Sequence, residues 1–590
     1  MIDRARGRSI ELRRTALLAL VLLSAPAVPT PGGAVAQALP PVPRNRTLIL
    51  ENIDGRVPVP GNMNPYVAGQ FLEWGMWQAT QESLFYYNLE TGRLDPWLAR
   101  SASYSDGGRT VTIELRSGVR WSDGVAFTAD DVVFTIEMLK RNLGLQYSFD
   151  MDAWVESASA PNATRVIIRL KRPNPHFVLT YFAVPIWRSI LIAPKHIWEH
   201  VDPKTFSNYD PQHGLPLGTG PYRLVRSSET ETVFDRRDRW WATEAGLHPM
   251  PSPQRLIWIS AGTEDTRAAM AVNNQLDAIW VMSRSTFEIA RRRNASLIGW
   301  TKALPYGYLD PCPRNLYFNT AAAPFDRVEV RRAINQAINR SQLVAVAYEG
   351  MSEPSYSVFP TYAPLKPFLE RNAAVLQALH SQPSQVATLM QAAGYRRGPQ
   401  GLWVGADGRT VRFTIDVRSG ETDLLKMGPV LVYQLRAAGF DAAFRPSETA
   451  IFSSDVATGR SMVYLSDSCG SVQDAYASLA LFHSNQSAPI GQLASGVVPT
   501  RFANPEFDAA VDTMAKLPAE DSAFAAAADT ALRIFSRELP AIPLVQARLL
   551  TPFNQTYWSN WPSADNDFIQ PGHWWITGDQ LVINVRPTGR

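Results

Sequence analysis

Gly218-Thr219-Gly220-Pro221-Tyr222-Arg223-Leu224 constrains the fold more than any other stretch of the 590 residues. Glycine accepts positive φ at no steric cost and proline fixes its own φ, so the run predicts a tight turn. The alternating apolar residues from Tyr222 to Val225 predict a strand leaving it. A phosphate-binding loop is excluded, because no third glycine follows, position 223 is arginine, and no Lys-Ser/Thr pair closes the motif.

Two further stretches flank that turn. Upstream lies Arg120-Trp121-Ser122-Asp123-Gly124-Val125-Ala126-Phe127-Thr128-Ala129-Asp130-Asp131-Val132. Downstream lie Asn319-Thr320 and Pro324-Phe325-Asp326-Arg327-Val328-Glu329-Val330-Arg331-Arg332-Ala333-Ile334. In this order the three resemble the family 5 extracellular solute-binding proteins, the dipeptide- and oligopeptide-binding receptors of bacterial ABC importers. Glu82-Ser83-Leu84-Phe85-Tyr86-Tyr87 and Pro96-Trp97-Leu98-Ala99 resemble further family segments. The resemblance implies a mixed α/β (α+β) chain with a two-lobed, periplasmic binding protein type II-like fold and an extra subdomain inserted in lobe 1. The implied boundaries are 39–88, 206–307 and 548–590 for lobe 1, 89–205 for the insert and 308–547 for lobe 2. It further implies a monomer, without cofactor or catalytic step, that captures a peptide or similar small polar solute by hinge closure. Membrane permease subunits of the transporter would be its partners.

Arg4, Arg6, Arg8, Arg13 and Arg14 precede an apolar run from Ala16 to Leu23, and Ala34-Val35-Ala36 and Ala36-Gln37-Ala38 offer small-residue cleavage sites. Residues 1–38 therefore read as a secretory signal peptide, its apolar core too short to span a bilayer. Those arginines also account for the net charge of +3. The remainder is near neutral, which argues against nucleic acid or anionic lipid as a partner. No cysteine lies near the cleavage sites, so the expectation is a periplasmic protein without a lipid anchor. Cys312 and Cys469 are the only cysteines, 157 positions apart. In an oxidising compartment they most simply form one disulfide, worth about 5 kcal/mol by chain entropy. Two buried thiols are the alternative.

Along the chain, Thr47 to Ile53, Thr110 to Leu115, Val166 to Leu170 and Leu256 to Ser260 read as strands, and Glu264 to Asn274 as a helix. Thr128 and Asp131 form a capping pair, which makes Asp130 and Asp131 first-turn acids rather than a catalytic pair. His196 and His200 have metal-ligand spacing, yet no stretch supplies a third ligand. Asn274 stands where relatives carry glycine. In the second half, Asp326 is expected to cap a helix, while Gly394 and Gly439 stop the helices over Val386–Ala393 and Leu424–Ala438.

The chain lacks the common nucleophile and zinc-protease motifs, but a carboxylate-pair glycosidase needs no local motif and remains the enzymatic rival. The 17 tryptophans are the most unusual feature of the composition. Most are expected in the core, and some can stack on a sugar or cover an apolar ligand group. In oligopeptide-binding relatives an aspartate two residues after a cysteine of lobe 2 pairs with the peptide's α-amino group. Ser471 occupies the corresponding position, and it brings no charge unless Asp474 or Asp310 moves in. The tail Tyr557-Trp558-Ser559-Asn560-Trp561-Pro562 resembles that of oligosaccharide-binding members, so a sugar ligand is the alternative to a peptide. The expected ligand contacts are Asn64, Trp74, Phe85, Trp280, Trp403, Ser471 and Asp474, with no metal among them.

Overall fold

The computed structural model describes residues 39–52, 55–67, 76–184, 189–570 and 578–590. The expected leader, Trp74, Trp574 and Trp575 lie outside the described residues. No helix among the described residues is long and apolar enough to cross a membrane.

Three sheets organise the chain from Val42 onward. The first runs in the order Thr47–Glu51, Arg255–Ile259, Glu231–Arg236, Tyr222–Ser227. Its first pair is parallel and its other pairs antiparallel. The second is an antiparallel meander-like sheet of Ala99–Ser105, Thr110–Leu115, Arg165–Leu170 and Val155–Asn162. The third has six strands in the order Glu353–Pro354, Ala541–Gln546, Arg314–Phe318, Val463–Asp467, Arg412–Arg418, Asp441–Ser447. Arg412–Arg418 pairs parallel with both Val463–Asp467 and Asp441–Ser447, and the helix Thr422–Ala437 joins it to the latter. A parallel pair requires such a crossover, and the helix packs Leu424, Met427, Leu431 and Leu435 into the core.

The Gly218–Leu224 turn forms for a reason other than the expected one. Neither Gly218 nor Gly220 has positive φ. Both glycines are needed for close approach: a Cβ would lie 1.8 Å from the Thr80 carbonyl oxygen at position 218 and 2.9 Å from it at 220. The Gly220 N–H donates to that same carbonyl at 2.8 Å, and the Gly218 N–H to Ser122 Oγ at 3.4 Å. The turn thus joins the Trp121–Gly124 stretch to the segment carrying Glu82.

Glu82 accounts for three tryptophans. Its buried carboxylate accepts from the indole N–H of Trp97 at 3.0 Å, of Trp240 at 3.2 Å and of Trp241 at 2.7 Å. Burial pushes the Glu82 carboxyl up, and the indole donors pull against that.

Asp131 is a capping residue. Its carboxylate accepts from the Thr128 backbone N–H at 2.8 Å and opens the helix Ala129–Arg141. The helix expected after Asp326 instead starts at Val328, with Arg327 at the cap position and no side-chain cap. Gly394 and Gly439 end their helices at φ of +84° and +92°. His196 and His200 do not converge: His196 pairs with Asp123 at 2.7 Å, and His200 lies 3.7 Å from Glu199. Asn274 holds a left-handed φ of +59°, the conformation that favours glycine, and its side-chain oxygen accepts from Asn294, Asn554 and Thr556.

Candidate ligand cleft

The chain crosses between the first and third sheets through two short strands, Tyr308–Leu309 and Arg548–Leu549, which pair antiparallel. Beside them is a cavity of about 150 Å³ lined by Arg267 and Trp280 on one side and by Arg314, Tyr348, Glu421 and Asp423 on the other. Arg314 leaves the crossing as the first residue of its strand. Its guanidinium donates to Asp423 Oδ2 at 2.8 Å and to Asp310 Oδ2 at 2.5 Å. The Tyr348 hydroxyl donates to Asp423 at 2.7 Å.

These buried acids are held differently. Burial pushes Asp310 up to about 6 despite Arg314, and the charges of Asp467 and Asp423 add to the rise. Asp423 stays below the ordinary carboxylate value, because Arg314 and Tyr348 outweigh its burial. Glu421 is pushed up by burial and then by Asp467. Asp467, half-buried at the end of its strand, is approached only weakly, by Ser466 Oγ at 3.4 Å and Cys469 Sγ at 4.0 Å. Asp310, Asp423, Asp467 and Glu421 lie close enough around Arg314 to act on one another's charge, while the cavity wall itself carries Glu421 and Asp423 beside Arg267, Arg314, Lys426 and Arg548.

The Cys312–Cys469 disulfide lies next to this set. It belongs to an apolar cluster with Tyr362 and Val472 and with Tyr87 and Leu89 of the short hairpin Phe85–Pro96. Beyond it, a second cavity of about 510 Å³ separates the turn of the antiparallel sheet, Tyr104 to Gly108, from Asp474 and Lys516–Glu520.

The expected contacts do not form one constellation. Trp280 lines the first cavity and Asp474 the second. Asn64 is buried: its amide donates to the carbonyls of Pro203 and Phe206, both at 2.8 Å, and its oxygen accepts from the Tyr66 N–H, so it braces a loop. Phe85 is a core residue. Trp403 is fully buried, with its indole N–H on the Ala438 carbonyl, and presents no face to a solute. Ser471 and Ser478 exchange hydrogen bonds of 2.9 Å, each backbone N–H donating to the other's hydroxyl oxygen, and Ser471 is buried. Sequence reasoning missed Arg314, Tyr348, Asp423 and Asp467. Only Asp310, already noted as a possible source of charge, pointed to them.

The chain belongs to the bacterial extracellular solute-binding proteins of family 5, whose middle-region model matches residues 93–489. The glutathione-binding protein GsiB of Escherichia coli K12 is 25% identical over 516 residues, covering 86% of this chain and 91% of the relative. GsiB of Salmonella typhi is 24% identical over 510 residues, with the same coverage of 86% and 91%. Among solved structures, the periplasmic oligopeptide-binding protein of Thermotoga maritima superposes with a TM-score of 0.82 at 22% identity, covering 92% of this chain and all of that one. The same protein with mannohexaose bound gives 0.76 at 22% identity, covering 93% of this chain and 100% of that one. Members of this family are transport receptors.

Proposed function

We propose that this chain is the exported receptor of an ABC importer, closing its two sheet-bearing halves around a peptide and presenting it unchanged to a membrane permease. The paired crossings Tyr308–Leu309 and Arg548–Leu549 carry this reading, because two short strands can bend while the sheets they join stay rigid. The ligand spans the gap, shifts the open–closed balance by its differential affinity for the closed form, and undergoes no covalent change. Asp467 meets the α-amino group, replacing the aspartate that Ser471 lacks, and Trp280 covers an apolar side chain. The names of the relatives, glutathione- and oligopeptide-binding, favour such a ligand. Residues 1–38 supply the export signal, and the periplasm is the working compartment.

Calorimetry with glutathione and a panel of di- to pentapeptides tests this. Binding by at least one peptide is expected, with Asp467→Asn costing about 1.5–3 kcal/mol, roughly 10- to 150-fold in affinity. An N-acetylated peptide bound as tightly as its free-amine counterpart would remove the role of Asp467. The second reading, an oligosaccharide ligand, draws on the mannohexaose-bound neighbour and on Trp280 in the cavity wall. Binding of manno-oligosaccharides with no response to peptides would favour it.

A further inference from the structure

Away from the crossings, His176 reaches from the antiparallel-sheet segment to the third-sheet half, beside Leu179, which packs on the disulfide cluster. His176 follows the Pro173-Asn174-Pro175 turn, and its ring stacks on Tyr476 with centroids 4.8 Å apart and planes 17° apart. Phe524 approaches from the side at 6.2 Å. The ring's Nε2 lies 3.2 Å from the Met514 carbonyl oxygen, and its Nδ1 lies 3.6 Å from Asp474 Oδ2. Both side chains are only 11% exposed.

The carbonyl fixes the tautomer. A carbonyl oxygen can only accept, so Nε2 must carry a hydrogen. In a neutral ring Nδ1 is then a lone-pair acceptor, and it faces a carboxylate, a second acceptor. One added proton turns this opposition into attraction, whether it sits on Nδ1 or on Asp474. At 3.6 Å the contact is too long for a hydrogen bond, so its sign depends on charge.

We propose that His176 and Asp474 form a proton-operated latch that holds the closed form, so that closure of this receptor tightens as pH falls. His176 here is a positioning residue that acts through the closed geometry and not on the solute. The inference rests on the hinge reading above but is independent of the ligand's identity.

The surrounding charges fit this assignment. Asp474 is pushed up by burial, with His176 pulling against it and Glu520 adding to the rise. Asp474 and Asp512 both act on Tyr476, while Arg172 opposes them. Tyr87 faces Asp474 from the first-sheet side, and Lys516 lines the adjoining cavity. His483, the next nearest imidazole on that half, has its own acids, Asp508 and Asp512, at 3.8 and 3.5 Å. Protonation turns the contact attractive, so the latch engages as pH falls. By linkage, closure is favoured as pH falls to the extent that the pair holds its proton more tightly closed than open.

Spin labels on the full chain at Ser103→Cys and Ala523→Cys, both exposed positions on opposite sides of the gap, report opening by pulsed electron resonance without a ligand. The closed fraction is expected to be at least about threefold larger at about pH 5.5 than at about pH 8.5. His176→Gln and Asp474→Asn should each flatten that dependence, and Asp474→Glu should retain it. Melting curves of each variant separate loss of the latch from loss of fold. A pH-independent closed fraction in the parent, or pH dependence kept by both His176→Gln and Asp474→Asn, overturns the latch. A single fixed distance at both pH values overturns the hinge reading along with it. Opening that persists but ignores pH overturns the latch alone.

Discussion

Glu82 and Asp474 are both buried carboxylates, and they are satisfied in opposite ways. Glu82 accepts from three indole N–H groups fixed within one packed core, none of which titrates near neutrality. Asp474 accepts from the Tyr476 backbone N–H at 2.8 Å on one oxygen, and its other oxygen faces an imidazole that arrives from across a gap. Neutral donors on rigid neighbours make a permanent brace. A titratable partner on a separate body makes a contact whose worth changes with conditions. Burial therefore does not by itself distinguish a structural acid from a working one; the mobility and charge of the partner do.

The largest expected effect would break the comparison on its structural side. Glu82→Leu leaves three buried indole donors without an acceptor, and at about 1–3 kcal/mol each this predicts a loss of at least about 3 kcal/mol in denaturant unfolding. If stability is unchanged, Glu82 is no brace. A smaller effect concerns the cleft wall: Trp280→Ala should lower affinity for a bound peptide about tenfold while shifting the melting temperature by no more than a few degrees, about the scatter of surface substitutions. Equal affinity in calorimetry would remove Trp280 from the site. The smallest effect comes from Asp310, between the two extremes, buried yet beside a guanidinium. Its carboxyl sits at about 6 in the folded chain. An unfolded aspartate titrates near about 3.9, so the folded form takes up the proton first as pH falls. This contribution to stability is fully present below about pH 4 and is lost as pH rises through about pH 6. Asp310→Asn should flatten that part of the pH–stability profile.

Local signals carried much of the fold. The Thr128–Asp131 cap, the Gly394 and Gly439 stops and the alternating strands at 110–115 and 166–170 are all consequences of short-range chemistry, and all form where expected. Gly218 and Gly220 show the limit of that reasoning. Their need for glycine comes from the Thr80 carbonyl far away in the chain, not from their own φ. The cleft was far less legible. Trp403 and Asn64 look like ligand contacts in sequence because aromatic and amide groups suit that role, but nothing local says that Ala438, Pro203 and Phe206 will occupy them first. Arg314 meets Asp423 across 109 positions, a pairing that only the completed third sheet creates. Ser471 itself accepts from the Ser478 backbone N–H. The acid that stands nearby, Asp467, is four residues earlier, on the strand rather than in the loop.

The Cys312–Cys469 bond joins the chain just after one crossing to the loop that follows Asp467 and carries Ser471 and Asp474. That staple sets the lip of the gap rather than the bulk of either half, which has its own apolar core. Reduction would release that lip and, by chain entropy, also cost about 5 kcal/mol of stability.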